Sequence, residues 1–154
     1  GFSLAFAANA ISFIAASQAA GPLGLRLGAF RLMRLAAIGF AVFACGLFAL
    51  SLITDVGLFT VIIGLGLGNA CLGLIIPTAM VMALDDHGDI AGLASSLGGT
   101  IQMLTGGVIV AAMGPFFSAS PTPMLGVIAA CAVVALILSR LTKPSQAALA
   151  ESAA

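Results

Sequence analysis

Five long apolar runs, at residues 2–20, 35–54, 58–84, 93–117 and 124–142, constrain this chain more than any other feature. Each is close to the roughly 20 helical residues needed to cross a hydrocarbon core about 30 Å thick. Lipid offers no partner to a backbone N–H or C=O, so a spanning segment closes its own hydrogen bonds as a helix or joins a closed barrel. Barrel strands need only about 9–11 residues and alternate polar with apolar, and these runs do neither. The expectation is an all-α polytopic membrane protein with five transmembrane helices. Composition agrees: 62% of residues are hydrophobic, 6% are charged and the mean hydropathy is +1.27, whereas about a quarter of the residues in a soluble domain are charged.

The runs are joined at 21–34, 55–57, 85–92 and 118–123 and followed by a tail, 143–154. If all five span, the connections 21–34 and 85–92 and the tail share one side of the membrane. Arg26, Arg31, Arg34, Arg140 and Lys143, which are all the Lys and Arg in the chain, fall on that side. A central Arg or Lys costs about 2.5–3.5 kcal/mol, and the excess of basic residues marks the cytoplasmic face. The N-terminus is therefore expected outside and the C-terminus inside. Asp85, Asp86 and Asp89 do not disturb this, because acidic residues count little in that rule. The tail opens with Lys143 and Pro144 and is small and polar, which reads as a frayed cytoplasmic end. The chain begins Gly-Phe-Ser without a basic n-region, so no signal peptide is visible, and it reads as a fragment entered near the start of a helix. No basic footprint for nucleic acid is present. The bilayer is the first partner implied.

The runs differ in their small and polar residues. In the third, Gly66, Asn69, Gly73 and Pro77 share one helical face and Gly64 and Gly68 form a G-x-x-x-G pair; in the fourth, Ser95, Gly98, Gly99, Gln102, Thr105 and Gly106 share a face. In the first, Ala5, Asn9, Ser12 and Ala16 do so more weakly. The second and fifth runs are plain. Runs one, three and four are thus expected to face protein or a cavity, with two and five toward lipid or the outside of the bundle. Such stripes serve close helix packing, which is how helices associate in lipid, as well as substrate paths, and both readings stand here. Pro77 is expected to kink its helix and free carbonyls. Asn9, Asn69 and Gln102 can bond another helix or a bound ligand.

Absences narrow the chemistry. No Asp, Glu, Lys, Arg or His lies at mid-membrane depth in any run, so no intramembrane proton or ion relay is visible. A nucleophile there would lack a base or metal ligand beside it, so neither a catalytic residue nor a metal site is expected. Cys45, Cys71 and Cys131 are far apart within apolar runs and read as small core hydrophobes. His87, among aspartates, reads as a solvated loop residue.

Two stretches carry a family resemblance. Gly21-Pro-Leu-Gly-Leu-Arg26-Leu-Gly28-Ala-Phe-Arg31 resembles the loop motif G-x-L-x-D-R-x-G-x-R of the major facilitator superfamily, with Leu25 where the motif has Asp and Arg31 just past its end. The stretch from Pro77 to Gln102, including Leu84, Gly88, Ala91-Gly92, Ala94-Ser95 and Gly99, resembles the bicyclomycin/chloramphenicol-resistance (Bcr/CflA) drug-efflux branch, with Thr78 in place of its usual Asn. The first run, Phe6 to Gln18, is similar to that branch's eighth span.

The resemblance covers nearly the whole chain and implies spans eight to twelve of a twelve-span transporter of the major facilitator fold, 1–142 forming a partial C-terminal bundle. It implies proton-driven efflux of small amphipathic drug-like molecules across a bacterial inner membrane, with the proton gradient as energy source and no cofactor. The other half of the transporter, with the proton-carrying acid, is the implied partner. It implies that Asn9, Ser12, Asn69, Ser95 and Gln102 line the substrate path, that Gly66, Gly73, Pro77, Gly98, Gly99 and Gly106 shape and pack the helices, and that Gly21, Arg26, Gly28 and Arg31 form the cytoplasmic loop motif. A facilitator of a metabolite or sugar, and a structural or assembly membrane protein without transport, are the alternatives.

Overall fold

The computed structural model describes residues 2–54, 57–85, 90–114 and 122–141, and these are helical almost throughout. Asp55, Asp86, His87, Asp89, Lys143 and the tail beginning at Pro144 lie outside the described residues, as does the side chain of Asp85. The helices are α1 (Phe2–Leu27), α2 (Ala29–Ile53), α3 (Leu58–Asp85), α4 (Ala91–Met113) and α5 (Thr122–Leu141). All five are long and apolar enough to cross a membrane. The shortest, α5, has 20 residues and at 1.5 Å per residue reaches about 30 Å.

The connection expected at 21–34 is almost entirely helix, which corrects the reading of its glycines and proline as a loop. Pro22 lies inside α1; it removes one N–H but leaves the turns around it free to bond. Only Gly28 breaks the path, with φ +80, a backbone region in which a Cβ is strained. Its N–H donates to the Gly24 carbonyl at 2.9 Å and its carbonyl accepts from the Leu32 N–H at 3.0 Å, so both backbone groups of the junction residue are paired. Likewise α3 continues as one helix through Pro77. At the other end of α2, Thr54 turns extended, and its N–H and Oγ1 both donate to the Leu50 carbonyl, at 3.0 and 3.2 Å.

Glycines record how the helices lie. A Cβ on Gly39 would meet Cys71 Sγ at 3.1 Å, one on Gly64 would meet Leu47 at 3.0 Å, and one on Gly68 would meet Phe40 at 3.6 Å. As numbers rise along α2 they fall along α3, so the two are antiparallel. Gly66 faces Ser12 and Asn9, and Gly73 faces Phe13, Ala16 and Ser17, so α1 and α3 run parallel. Gly126 of α5 faces Phe48, while Arg34 reaches the last turn of α5, so α5 is antiparallel to α2. The C-terminal ends of α1, α3 and α5 and the N-terminal end of α2 therefore share one end of the bundle, and with them Arg26, Arg31, Arg34 and Arg140.

The packed core lies where plain helices were expected to face lipid. Phe40, Ala41 and Ala44 of α2 and Ala132 of α5 form its centre, with Cys71, Leu72 and Ile75 of α3 and Ile128 and Leu136 of α5 packed against them. This corrects the assignment of the second and fifth runs to the lipid face. The reason is alanine: Ala37, Ala41 and Ala44 recur on one face of α2 and Ala129 and Ala132 on one face of α5, all buried, and methyl-sized side chains let two backbones approach as glycines do. By contrast α4, expected to face protein, has no buried residue; its main contact is a light one with α3.

Candidate functional site

The seam between α1 and α3 places two amides inside an apolar bundle. Asn9 Nδ2 donates to the Ala5 carbonyl of its own helix at 3.0 Å, and Asn69 Nδ2 donates to Asn9 Oδ1 at 3.0 Å. Both are half-buried. An unpaired amide in lipid is costly, and the pairing satisfies one from each helix while fixing their register. Gly66 and Gly73 make it possible by bringing α3 against α1. Ser12 lies beside Gly66 and donates its Oγ to the Ala8 carbonyl at 2.9 Å, so its hydroxyl proton is committed to its own helix.

A cleft of about 390 Å³ opens between α2, α3, α4 and α5. Phe40 and Leu47 of α2, Leu72 of α3, Gly106 and Ile109 of α4 and Ile128 of α5 are among its walls, and among the described residues two lining side chains carry a polar atom: Asn69 with its amide and Cys131 with its thiol. Among the described residues, no carboxylate, ammonium, guanidinium or imidazole lines it. Asn69 thus belongs to both features: its amide donates to Asn9, and the residue forms part of the cleft wall.

At the end of the bundle that carries the arginines, Arg34 is a clasp. Its Nε donates to the Ser139 carbonyl and its Nη2 to the Arg140 carbonyl, each at 3.4 Å, while its guanidinium stacks over the Phe30 ring at 4.8 Å. The carbonyls of a helix's last turn sit at the negative end of its dipole, so a cation that bonds two of them complements that end of α5 and ties it to α2.

The structure brings Asn9, Ser12, Gly66, Asn69 and Gly73 together. Ser95, Gln102, Gly98 and Gly99 stand apart on α4: Ser95 donates to the Gly92 carbonyl at 3.0 Å, Gln102 is exposed, and among the described residues nothing beyond the local helix backbone lies within 4 Å of a Cβ built on Gly98, Gly99 or Gly106. Gly106 nevertheless forms part of the cleft wall. Pro77 sits in α3 beside the buried Thr78, whose Oγ1 donates to the Leu74 carbonyl at 2.6 Å. Of the loop motif, Gly21, Arg26 and Arg31 are exposed and Gly28 is the helix junction. Sequence reasoning treated Arg34 as one charge among five and passed over Phe40 and Leu47. The alanine spacing of α2 was the signal that would have found that wall.

No protein-family model, curated protein or solved structure matches the chain.

Proposed function

We propose that this chain is the membrane-embedded part of a secondary active transporter of the major facilitator type, moving small amphipathic drug-like molecules outward in exchange for protons. The observation that carries the reading is Asn69, a polar residue in the wall of an apolar cleft between membrane-length helices, whose amide is paired with Asn9 of α1. A pocket of a few hundred cubic ångströms with an apolar lining and a few placed polar groups is the usual form of a small-molecule site. The motif resemblances from Gly21 to Arg31 and from Pro77 to Gln102 point to the same class. In this reading the arginine-bearing end faces the cytoplasm, as the positive-inside rule requires, and the proton-carrying acid belongs to the other half of the transporter.

The test is accumulation of a panel of neutral and cationic drugs in bacterial cells with and without the full-length protein, before and after a protonophore. The expected result is lower accumulation of at least one compound in expressing cells, abolished by the protonophore. Asn69→Ala, at equal membrane abundance, should weaken the effect by about three- to tenfold, the worth of one hydrogen bond. Equal accumulation of every compound with and without the protein rejects transport by efflux, and a difference untouched by the protonophore rejects proton coupling.

A further inference from the structure

We infer that the cleft between α2, α3, α4 and α5 is a binding site for an uncharged, largely apolar molecule bearing one hydrogen-bonding group, which Asn69 recognises. The inference rests on the transport reading only in supposing that the molecule is cargo; the site itself follows from its walls.

Charge is the first criterion. Among the described residues the lining has no carboxylate, ammonium, guanidinium or imidazole, so a charged guest would lose its hydration against a wall that offers no opposite charge to replace it. An uncharged apolar guest gains by covering Phe40, Leu72, Ile109 and Ile128. The second criterion is the hydrogen-bonding capacity left on the wall. An asparagine amide offers two donors and a carbonyl with two lone pairs. Asn69 spends one donor on Asn9, which leaves an N–H and the carbonyl for a guest. Asn9, anchored on the Ala5 carbonyl, holds that amide in one orientation, so little ordering is lost when the guest bonds it. Access is the third. The α4 wall, with Gly106 and Ile109, belongs to a helix that buries no residue against the rest of the bundle, so it can shift without dismantling the core of α2, α3 and α5.

Benzophenone suits the test, because it is uncharged and apolar, has one carbonyl acceptor and inserts into neighbouring C–H bonds when irradiated. The full-length protein in lipid nanodiscs is irradiated with benzophenone or with its trimethylammonium-methyl derivative, and adducts are mapped by peptide mass spectrometry. Adducts are expected at Leu72, Ile109 and Ile128 with benzophenone and at background with the cationic derivative. Gly106→Leu, which extends a side chain into open space at the cleft wall, should remove these adducts while sparing those on the exposed Leu4 and Val134. Asn69→Leu should lower them about three- to tenfold. Labelling spread evenly over exposed positions, equal labelling by the cation, or cleft labelling that survives Gly106→Leu would overturn the inference. Cleft labelling in a protein that extrudes no compound keeps the site and rejects transport. Extrusion of neutral compounds with the cleft unlabelled does the reverse.

Discussion

Gly73 shows what a single hydrogen atom in place of a methyl does in this bundle. It is buried, and a Cβ there would run into the Phe13 carbonyl oxygen and stand 3.1 Å from Ala16 Cβ and 3.2 Å from the Ser17 nitrogen. Two of those atoms are backbone and cannot rotate aside, so Gly73→Ala is expected to destabilise the protein by about 1–3 kcal/mol, the range for overpacking. Gly98→Ala meets open space in the interior of α4 and should stabilise by about 0.5–1 kcal/mol through helix propensity. Thermal unfolding in mild detergent separates the two, and equal shifts would contradict a close α1–α3 approach. The face formed by Gly66, Asn69 and Gly73 was legible because residues three, four and seven apart must share a side of any helix. That Gly73 meets a backbone and Gly98 meets nothing was not legible, since periodicity orients a face without saying what stands opposite.

At the scale of the helix, Arg34 belongs to α2 in sequence and to α5 in function. Replacing it by alanine removes both hydrogen bonds to α5 and a cation at the negative end of its dipole, and is expected to cost about 0.5–2 kcal/mol. Lysine keeps the charge but cannot span two carbonyls with a planar fork, so Arg34→Lys should fall between. Amide hydrogen exchange is the measure: the last turn of α5 should exchange faster in Arg34→Ala, with α4 unchanged. An unaltered α5 terminus would show that the clasp carries no stability. Helix boundaries were the least legible feature. Gly21, Pro22 and Gly24 read as a loop, yet α1 continues to Leu27 and α2 begins at Ala29, because the local hydrogen bonds of a helix persist past its apolar stretch until a residue with φ +80 interrupts them.

Across the whole molecule, stability is unevenly shared. The row α1–α3–α2–α5 holds the buried residues and the clasp, whereas α4 has none buried. Opening free energy follows buried contact, so α4 is expected to exchange its amides fastest of the five helices in detergent, and an α4 as protected as α2 would show that it is packed more closely than this structure has it. The sequence by itself determined that the described chain is helical and membrane-length, because apolar runs near 20 residues have no other way to satisfy their backbone in lipid. It also determined that the arginines gather at one end, since alternating spans and the cost of burying a cation allow nothing else. Only the tertiary structure decided which helices touch. Hydrophobicity distinguishes lipid from water but not lipid from another apolar helix. The α2–α5 core, the partnerless face of α4 and the cleft beside Asn69 therefore followed from how small side chains on separate helices fit against one another, which no single run encodes.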